Sequence, residues 1–295
     1  MTPDPVATPS GESGAAPNMF TRERIGEGGA ARVATLVALL DAQEQQPAVR
    51  RLRDWAFEAL APQPGESVVD VGAGTGTELR RLAQAVAPNG RAVGVEPNPG
   101  LREEAAKRAA LMGSAATFVD GDAADLPFAD GAVHVLRCER VFQHLTDPQA
   151  AAHEFARVLA PDGRVAVLDS DWGTVISHPG DPDLVRRYTE ANQRRMPNPF
   201  SARHLPAQLR TAGLVVDHDI GSAALIMPPR ALLGSGVVHR NADAAVEEGV
   251  LTREEADELL ADAMAAARNG TAFFSVTMYA VIARKPDRAL GRSAG

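Results

Sequence analysis

The run Val68-Val69-Asp70-Val71-Gly72-Ala73-Gly74-Thr75-Gly76-Thr77 constrains this chain more than any other stretch. It reads as a short buried strand ending on an acid, a glycine-dense turn, and a helix starting near Glu78. Glycine reaches positive φ and carries no Cβ, so a ligand can approach the backbone closely. The helix start beyond it offers free N–H groups to a negative group. The spacing is Gly-x-Gly-x-Gly, whereas a dinucleotide fingerprint has Gly-x-Gly-x-x-Gly. No Gly-Lys-Ser/Thr follows, which excludes a nucleoside-triphosphate loop.

Two later segments repeat the strand-then-acid pattern. Arg91-Ala92-Val93-Gly94-Val95-Glu96 reads as a second buried strand with Glu96-Pro97 at its tip. Glu96 lies 20 residues after Gly76, enough for one crossover helix between parallel strands. An acid there can accept hydrogen bonds from both hydroxyls of a ribose. The third segment is Phe118-Val119-Asp120-Gly121-Asp122-Ala123-Ala124-Asp125-Leu126-Pro127-Phe128.

Together these segments resemble the class I S-adenosylmethionine (SAM)-dependent methyltransferases, closest to the small-molecule branch with ubiquinone/menaquinone-type and antibiotic-tailoring enzymes. The resemblance covers about 66–170 by motif and 210–283 by pattern only. It implies SAM as cofactor, with Asp70, Gly72, Ala73, Gly74, Thr75, Gly76, Glu96, Pro97, Asp122, Ala123 and Arg137 around it. Asp122 and Ala123 are assigned to the adenine, and a backbone carbonyl near Arg137 to the SAM amino group. Asp70 and Glu96 are expected to be removable without unfolding the chain. The activity implied is methyl transfer to an O, N or C atom of a small molecule; bacterial secondary metabolism such as antibiotic biosynthesis is the expectation. A non-methylating cyclase or structural partner that keeps SAM is the alternative. A nicotinamide-dependent oxidoreductase would leave Asp122 and its neighbours without a role.

The fold expected is α/β: a Rossmann-like seven-stranded sheet, mostly parallel with the last strand antiparallel. Helices cover both faces, and a helical lid or insert is added. Strands are placed near 67–72, 91–96, 115–119, 132–137, 163–170, 214–219 and 273–283. Helices are placed near 77–87, 99–112, 148–160, 182–192 and 202–212, with 171–199 otherwise irregular. The domain plan has a disordered tail at 1–18, an N-terminal helical lid at 19–65 and the methyltransferase domain at 66–285. An inserted helix pair falls at about 228–269, with a capping box at Thr252-Arg253-Glu254-Glu255, and a flexible tail at 286–295. Pro47 is expected to start a helix.

Candidate chemistry on the acceptor side is sparser. His144 is the most attractive base, because imidazole titrates near neutrality. Asp171 can orient an amine or take a proton, and Trp172 can wall the pocket. Arg140 can hold an anionic acceptor group or pair with an acid at a strand tip. Cys138, the single cysteine, is expected to be a small buried thiol; it excludes an intramolecular disulfide. Asn192, Arg194, Arg195 and Asn198 compete for the mouth of the site.

The net charge of −8 argues against a nucleic-acid partner held on a basic surface. No long apolar run or secretory signal is present, so a membrane partner is not expected and a cytoplasmic location is. No ligand spacing for a metal is seen. The expected partner is a small-molecule acceptor, with a homodimer left open.

Overall fold

The computed structural model describes residues 29–234 and 236–287. The tail expected at 1–18 lies outside them, as does the end of the tail expected at 286–295. Seven strands form one sheet: β1 (Ser67–Val71), β2 (Arg91–Val95), β3 (Thr117–Val119), β4 (Val133–Glu139), β5 (Leu159–His178), β6 (Val215–Met227) and β7 (Phe273–Arg284). Their order is β3-β2-β1-β4-β5-β7-β6. The first five run parallel, and β7 is antiparallel to both β5 and β6. This is the Rossmann-like α/β sheet that the sequence leads one to expect.

The order explains where ligands can go. From β1 the chain moves outward to β2 and β3, then returns to the other side of β1 with β4. The strand ends part at this reversal and leave a crevice. Asp70 faces Arg137 across it in register, and Val71 faces Cys138.

Helices cover both faces. α2 (Pro47–Leu60) and α3 (Thr77–Val86) bury Val49, Leu52, Leu60, Leu79 and Leu82 against one side of the sheet. Pro47 occupies the first turn of α2, where its missing N–H has no cost. α4 (Pro99–Leu111) follows β2. On the opposite side, α5 (Pro148–Val158) and a helix over Ser201–Thr211 pack Phe155, Leu205 and Leu209 around Phe142. Phe142 and Phe155 meet edge to face, 5.6 Å between centroids. α1 (Gly29–Glu44) precedes α2.

A separate small core lies above the crevice. α6 (Pro182–Arg194), α7 (the Ser201–Thr211 helix), the short α8 (Ala231–Gly234), α9 (Val237–Glu247) and α10 (Arg253–Asn269) complete the helices. Leu184, Ala242, Ala245, Leu251, Ala256 and Leu259 join α6, α9 and α10. The insert thus holds three helices in place of two. α10 begins with the expected capping box: Thr252 accepts from the Glu255 N–H, and Glu255 accepts from the Thr252 N–H.

Two strands run on beyond their expected ends. β5 does not stop at 170 but bulges between Asp171 and Ile176 and pairs again through His178. β6 continues to Met227 past a bulge after Val216. β7 is the cause: its 12 residues offer hydrogen-bonding groups on both sides. Thr174 closes the β5 bulge, its hydroxyl donating to the Asp171 carbonyl and accepting from the Thr277 N–H at 2.8 Å. Gly173 and Pro179 make this stretch look irregular in sequence. At the other edge β3 is shorter than expected, because it pairs on one side only. Among the described residues no helix is long and apolar enough to cross a membrane.

Candidate functional site

The glycine turn between β1 and α3 is the floor of the crevice. Gly72, Gly74 and Gly76 all have positive φ, at 72°, 53° and 76°. The Gly72 and Ala73 N–H groups both donate to the Val95 carbonyl, which ties the turn to β2. A Cβ on Gly72 would sit 2.3 Å from Val141 Cγ2, and one on Gly76 2.5 Å from the Phe118 ring. Glycine is therefore required by conformation and by contact.

Glu96 follows β2 and is fixed by the same turn. Its Oε2 accepts from the Gly74 N–H at 2.9 Å and its Oε1 from the Asn98 N–H at 3.0 Å. Asn98 in turn caps α4 through Gly100 and Leu101. Burial raises the Glu96 pKa, and the two backbone N–H groups oppose that rise. Asp122 accepts from the Ala124 N–H through Oδ1, so its loop closes on itself. Ala123 is buried below it.

Gly72, Gly74, Glu96, Asn98, Asp122 and Ala123 line a cavity of about 380 Å³ together with Pro97, Val71, Val95 and Leu101, whereas Gly76 lies outside its lining. Glu96, Asp122 and Asp147 bring carboxylates to it, and no lysine or arginine is among its lining residues. A pyrophosphate would meet like charge there. An uncharged nucleoside fits: apolar walls take the base, and carboxylates accept from amino and hydroxyl groups.

A second cavity of about 630 Å³ adjoins the first. Leu40, Gly72, Gly74 and His144 line both, and so form the passage between them. Asp70, Ala73, Thr75 and Arg137 line only the larger one. Thr75 is also tied to α1, its hydroxyl donating to Glu44 at 3.1 Å. α1 is held again by a two-pronged Arg108–Asp41 pair at 2.7 and 3.0 Å.

The floor of the second cavity is a buried charge cluster. Glu139 takes two hydrogen bonds from Arg53, at 2.7 and 2.8 Å, and a very short one from Arg137. Arg140 reaches it at 3.2 Å. Arg137 also bonds Asp70 at 3.0 Å, and Arg53 lies 3.7 Å from Glu78. Burial alone would raise the Glu139 pKa; the three guanidiniums outweigh it and hold the carboxyl well below its usual range. Burial also pushes Asp70 up, and Arg137 counters it.

Several sequence expectations change here. Asp70 is 1% exposed and bonded to Arg137, so its removal takes one of two buried carboxylates from that guanidinium, which keeps Glu139, and a cost in stability joins the loss of SAM binding expected from the sequence. Arg137 contributes its whole side chain to the cluster, where only a nearby carbonyl was expected. Asp171 is not in either cavity: its carboxylate is clamped by Arg203, at 2.7 Å to Nη2, and by the Gly173 N–H at 2.9 Å. That pairing holds the β5 bulge and removes Asp171 as a catalytic group. His144 stands in the passage, but burial and then the Arg140 charge lower its pKa to about 4. It is neutral near pH 7, and a weaker base there than a free imidazole.

Other expectations keep their place. Cys138 is buried in the sheet core, and burial raises its thiol pKa. Trp172 lines the second cavity, its ring N–H on Gln143 at 2.8 Å. Of the four residues competing for the mouth, Asn192 and Arg195 line the cavity, whereas Asn198 is turned onto the Phe142 carbonyl and Arg194 lies outside.

Arg53, Glu78 and Glu139 were not picked out in sequence. Arg53 carried a signal, because it interrupts the apolar stripe of α2 four residues after Val49. A charge on such a stripe needs a buried partner. Glu139 ends β4 as Asp70 nearly ends β1.

Comparison with known proteins agrees with this geometry. A family model described as a methyltransferase domain matches residues 69–167. An uncharacterized 37.1 kDa protein in transposon TN4556 of Streptomyces fradiae is 32% identical over 249 residues, covering 84% of this chain and 71% of that one. The ubiquinone/menaquinone biosynthesis C-methyltransferase UbiE of Ectopseudomonas mendocina is 31% identical over 150 residues, 50% of this chain and 56% of that one. Among solved structures, the YcgJ protein of Bacillus subtilis superposes with a TM-score of 0.55 at 20% identity, over 81% of this chain and 99% of that one. With a carboxylate-lined cavity at the strand reversal and these relatives, the chain belongs to the class I SAM-dependent methyltransferases, for which S-adenosylmethionine is the cofactor.

Proposed function

We propose that this protein moves a methyl group from SAM to an O, N or C atom of a small apolar molecule, in bacterial secondary metabolism. The observation that carries the reading is the pair of joined cavities. The smaller matches an adenosyl group, and the larger opens from it through Gly72, Gly74 and His144.

In this reading Glu96, beside Pro97, accepts from the ribose hydroxyls, and Asp122 with the Ala123 N–H takes the adenine edge. The turn from Gly72 through Ala73, Gly74 and Thr75 to Gly76 lies under the methionyl end, with Asp70 and Arg137 beyond it. Bound there, SAM would supply a methyl on a sulfonium, for a lone or π electron pair of the acceptor to take up while the pair of the broken carbon–sulfur bond stays on sulfur. The protein's part is alignment and exclusion of water.

The domain plan follows the same division. Residues 66–285 supply most of both linings; α1, a lid latched over the glycine turn, adds Leu40 to both and Glu44 to the larger, α2 adds Arg53, and α6, α9 and α10 roof the acceptor side. A roof with its own apolar core favours a specialised acceptor over a membrane quinone. The test is incubation with methyl-labelled SAM and a panel of apolar phenols, enols, carboxylic acids and amines. Label in an extracted product, with equal S-adenosylhomocysteine formed, supports the reading. An acceptor rearranged without label points to a SAM-keeping cyclase instead.

A further inference from the structure

One guanidinium in the second cavity is unlike the rest. Arg53 and Arg137 spend their N–H groups on Glu139 and Asp70. Arg195 is paired with Glu248 at 3.0 Å. Arg140 lines the same cavity, has a single 3.2 Å contact to a Glu139 that is already saturated, and buries its Nη1 with no hydrogen-bond partner. Two other buried polar atoms lack partners among the described residues, on Ser201 and Gln208, and neither residue lines a cavity.

The backbone keeps Arg140 in this place at some strain. Its φ is +55°, in the left-handed region that an arginine avoids. Its N–H bonds the Leu168 carbonyl at 2.8 Å, and the next residue, Val141, packs on Gly72. Strain of this kind persists where the surroundings impose it, and it gathers at sites of function. Arg140 lines the larger cavity, and its charge acts on His144 of the passage. The cavity walls around it are largely apolar, with Val175, Val185, Val238, Leu259 and Phe274 among them.

We propose that Arg140 is the seat of an anionic oxygen on the methyl acceptor, so that the acceptor class is an apolar small molecule bearing a carboxylate, enolate or acidic phenolate. The proposal rests on the methyltransferase reading and narrows it. An unpaired buried guanidinium N–H gains most from a charged acceptor, through a charge-assisted hydrogen bond in an apolar surround. It also fits the lowered basicity of His144 in the passage. An acceptor that arrives ionised has no proton to lose, so a neutral His144 and a clamped Asp171 are no obstacle.

The test uses the full chain saturated with S-adenosylhomocysteine and two isosteric probes, naphthalene-2-carboxylate and naphthalene-2-carboxamide, titrated by calorimetry at pH 7.5. The wild type should bind the carboxylate about tenfold or more tighter than the amide. Arg140→Gln should bring the two within about threefold while leaving S-adenosylhomocysteine affinity within about threefold, since only one charged contact is removed. Arg140→Lys should keep part of the preference, and decides the matter with the wild type if the Gln variant does not fold. Equal affinity for the two probes in the wild type, or no binding of either at millimolar concentration, overturns the proposal. So does a tenfold or greater loss of S-adenosylhomocysteine binding in Arg140→Gln, which would assign the guanidinium to the cofactor. Failure of the wild type to bind S-adenosylhomocysteine at all would instead remove the methyltransferase reading beneath it.

Discussion

The two cavities differ in how they are made. The smaller is built from three short stretches, each a strand tip and its following loop: 71–74, 95–98 and 121–124, closed by 141–147. Its carboxylates are held by nearby backbone N–H groups, as Glu96 is by Gly74 and Asn98. The larger draws on α1, α2, β4, β5, α6, β6, α9, α10 and β7, and its charges are held by one another. Local backbone geometry positions the first, and long-range side-chain pairing positions the second. Losing a residue should therefore affect binding in the first and stability in the second.

The largest effect should come from the centre of the charge cluster. Glu139→Ala leaves three buried guanidiniums without their shared partner, and should cost about 3–5 kcal/mol in urea unfolding. A change under about 1 kcal/mol would show that water already screens the cluster. In the smaller cavity, Glu96→Ala should leave the chain folded and weaken S-adenosylhomocysteine binding about 10- to 100-fold by calorimetry.

The glycine turn allows the division to be sharpened. Gly72→Ala places a Cβ 2.3 Å from Val141 Cγ2 at positive φ, and should destabilise by about 1–3 kcal/mol. Adding Val141→Ala should recover about 1 kcal/mol of that in a double-mutant cycle. Additive losses would mean that φ strain alone makes glycine necessary there.

Two buried groups should give opposite pH dependences. The His144 pKa is lowered from 6.5 to about 4, so its contribution is present above pH 6.5 and fades as pH falls. Asp169 is raised from 3.8 to about 7, first by burial, so its contribution is present below 3.8 and is lost as pH rises to 7. Between pH 4 and 6.5 the slopes oppose and nearly cancel, each at most about 1.4 kcal/mol per pH unit. His144→Gln should leave stability falling with pH in that window, and Asp169→Asn should leave it rising. Thermal unfolding from pH 4 to 7 reads both; unchanged flat profiles would contradict the burial of these groups. The smallest effect is expected at α1, proposed as a lid: Asp41→Asn loosens a half-exposed pair with Arg108 and should speed S-adenosylhomocysteine release only about two- to fivefold, the equivalent of under about 1 kcal/mol.

The same contrast explains what could be read from the sequence. The order of strands and the glycine turn follow from periodicity and spacing that are local, so β1, α3, β2 and α4 lie within a residue or two of their expected places. The smaller cavity is legible because consecutive residues make it. Asp171 misled for the opposite reason. An acid at a strand tip looks available in sequence, and nothing local shows that Arg203, 32 residues on, will clamp it. His144 was placed well but its basicity was not legible, because burial and Arg140 set it. The β5 and β6 extensions depend on a partner strand about 100 and 60 residues away, respectively, from where they resume.

The central claim is that the smaller cavity takes the adenosyl end of SAM. Calorimetric titration of the purified chain, freed of any co-purified ligand, with S-adenosylhomocysteine and with NADH tests it most directly. The account predicts micromolar binding of S-adenosylhomocysteine, strongly reduced by Glu96→Ala, and no heat from NADH. Binding of NADH, or S-adenosylhomocysteine affinity that Glu96→Ala leaves intact, would contradict it.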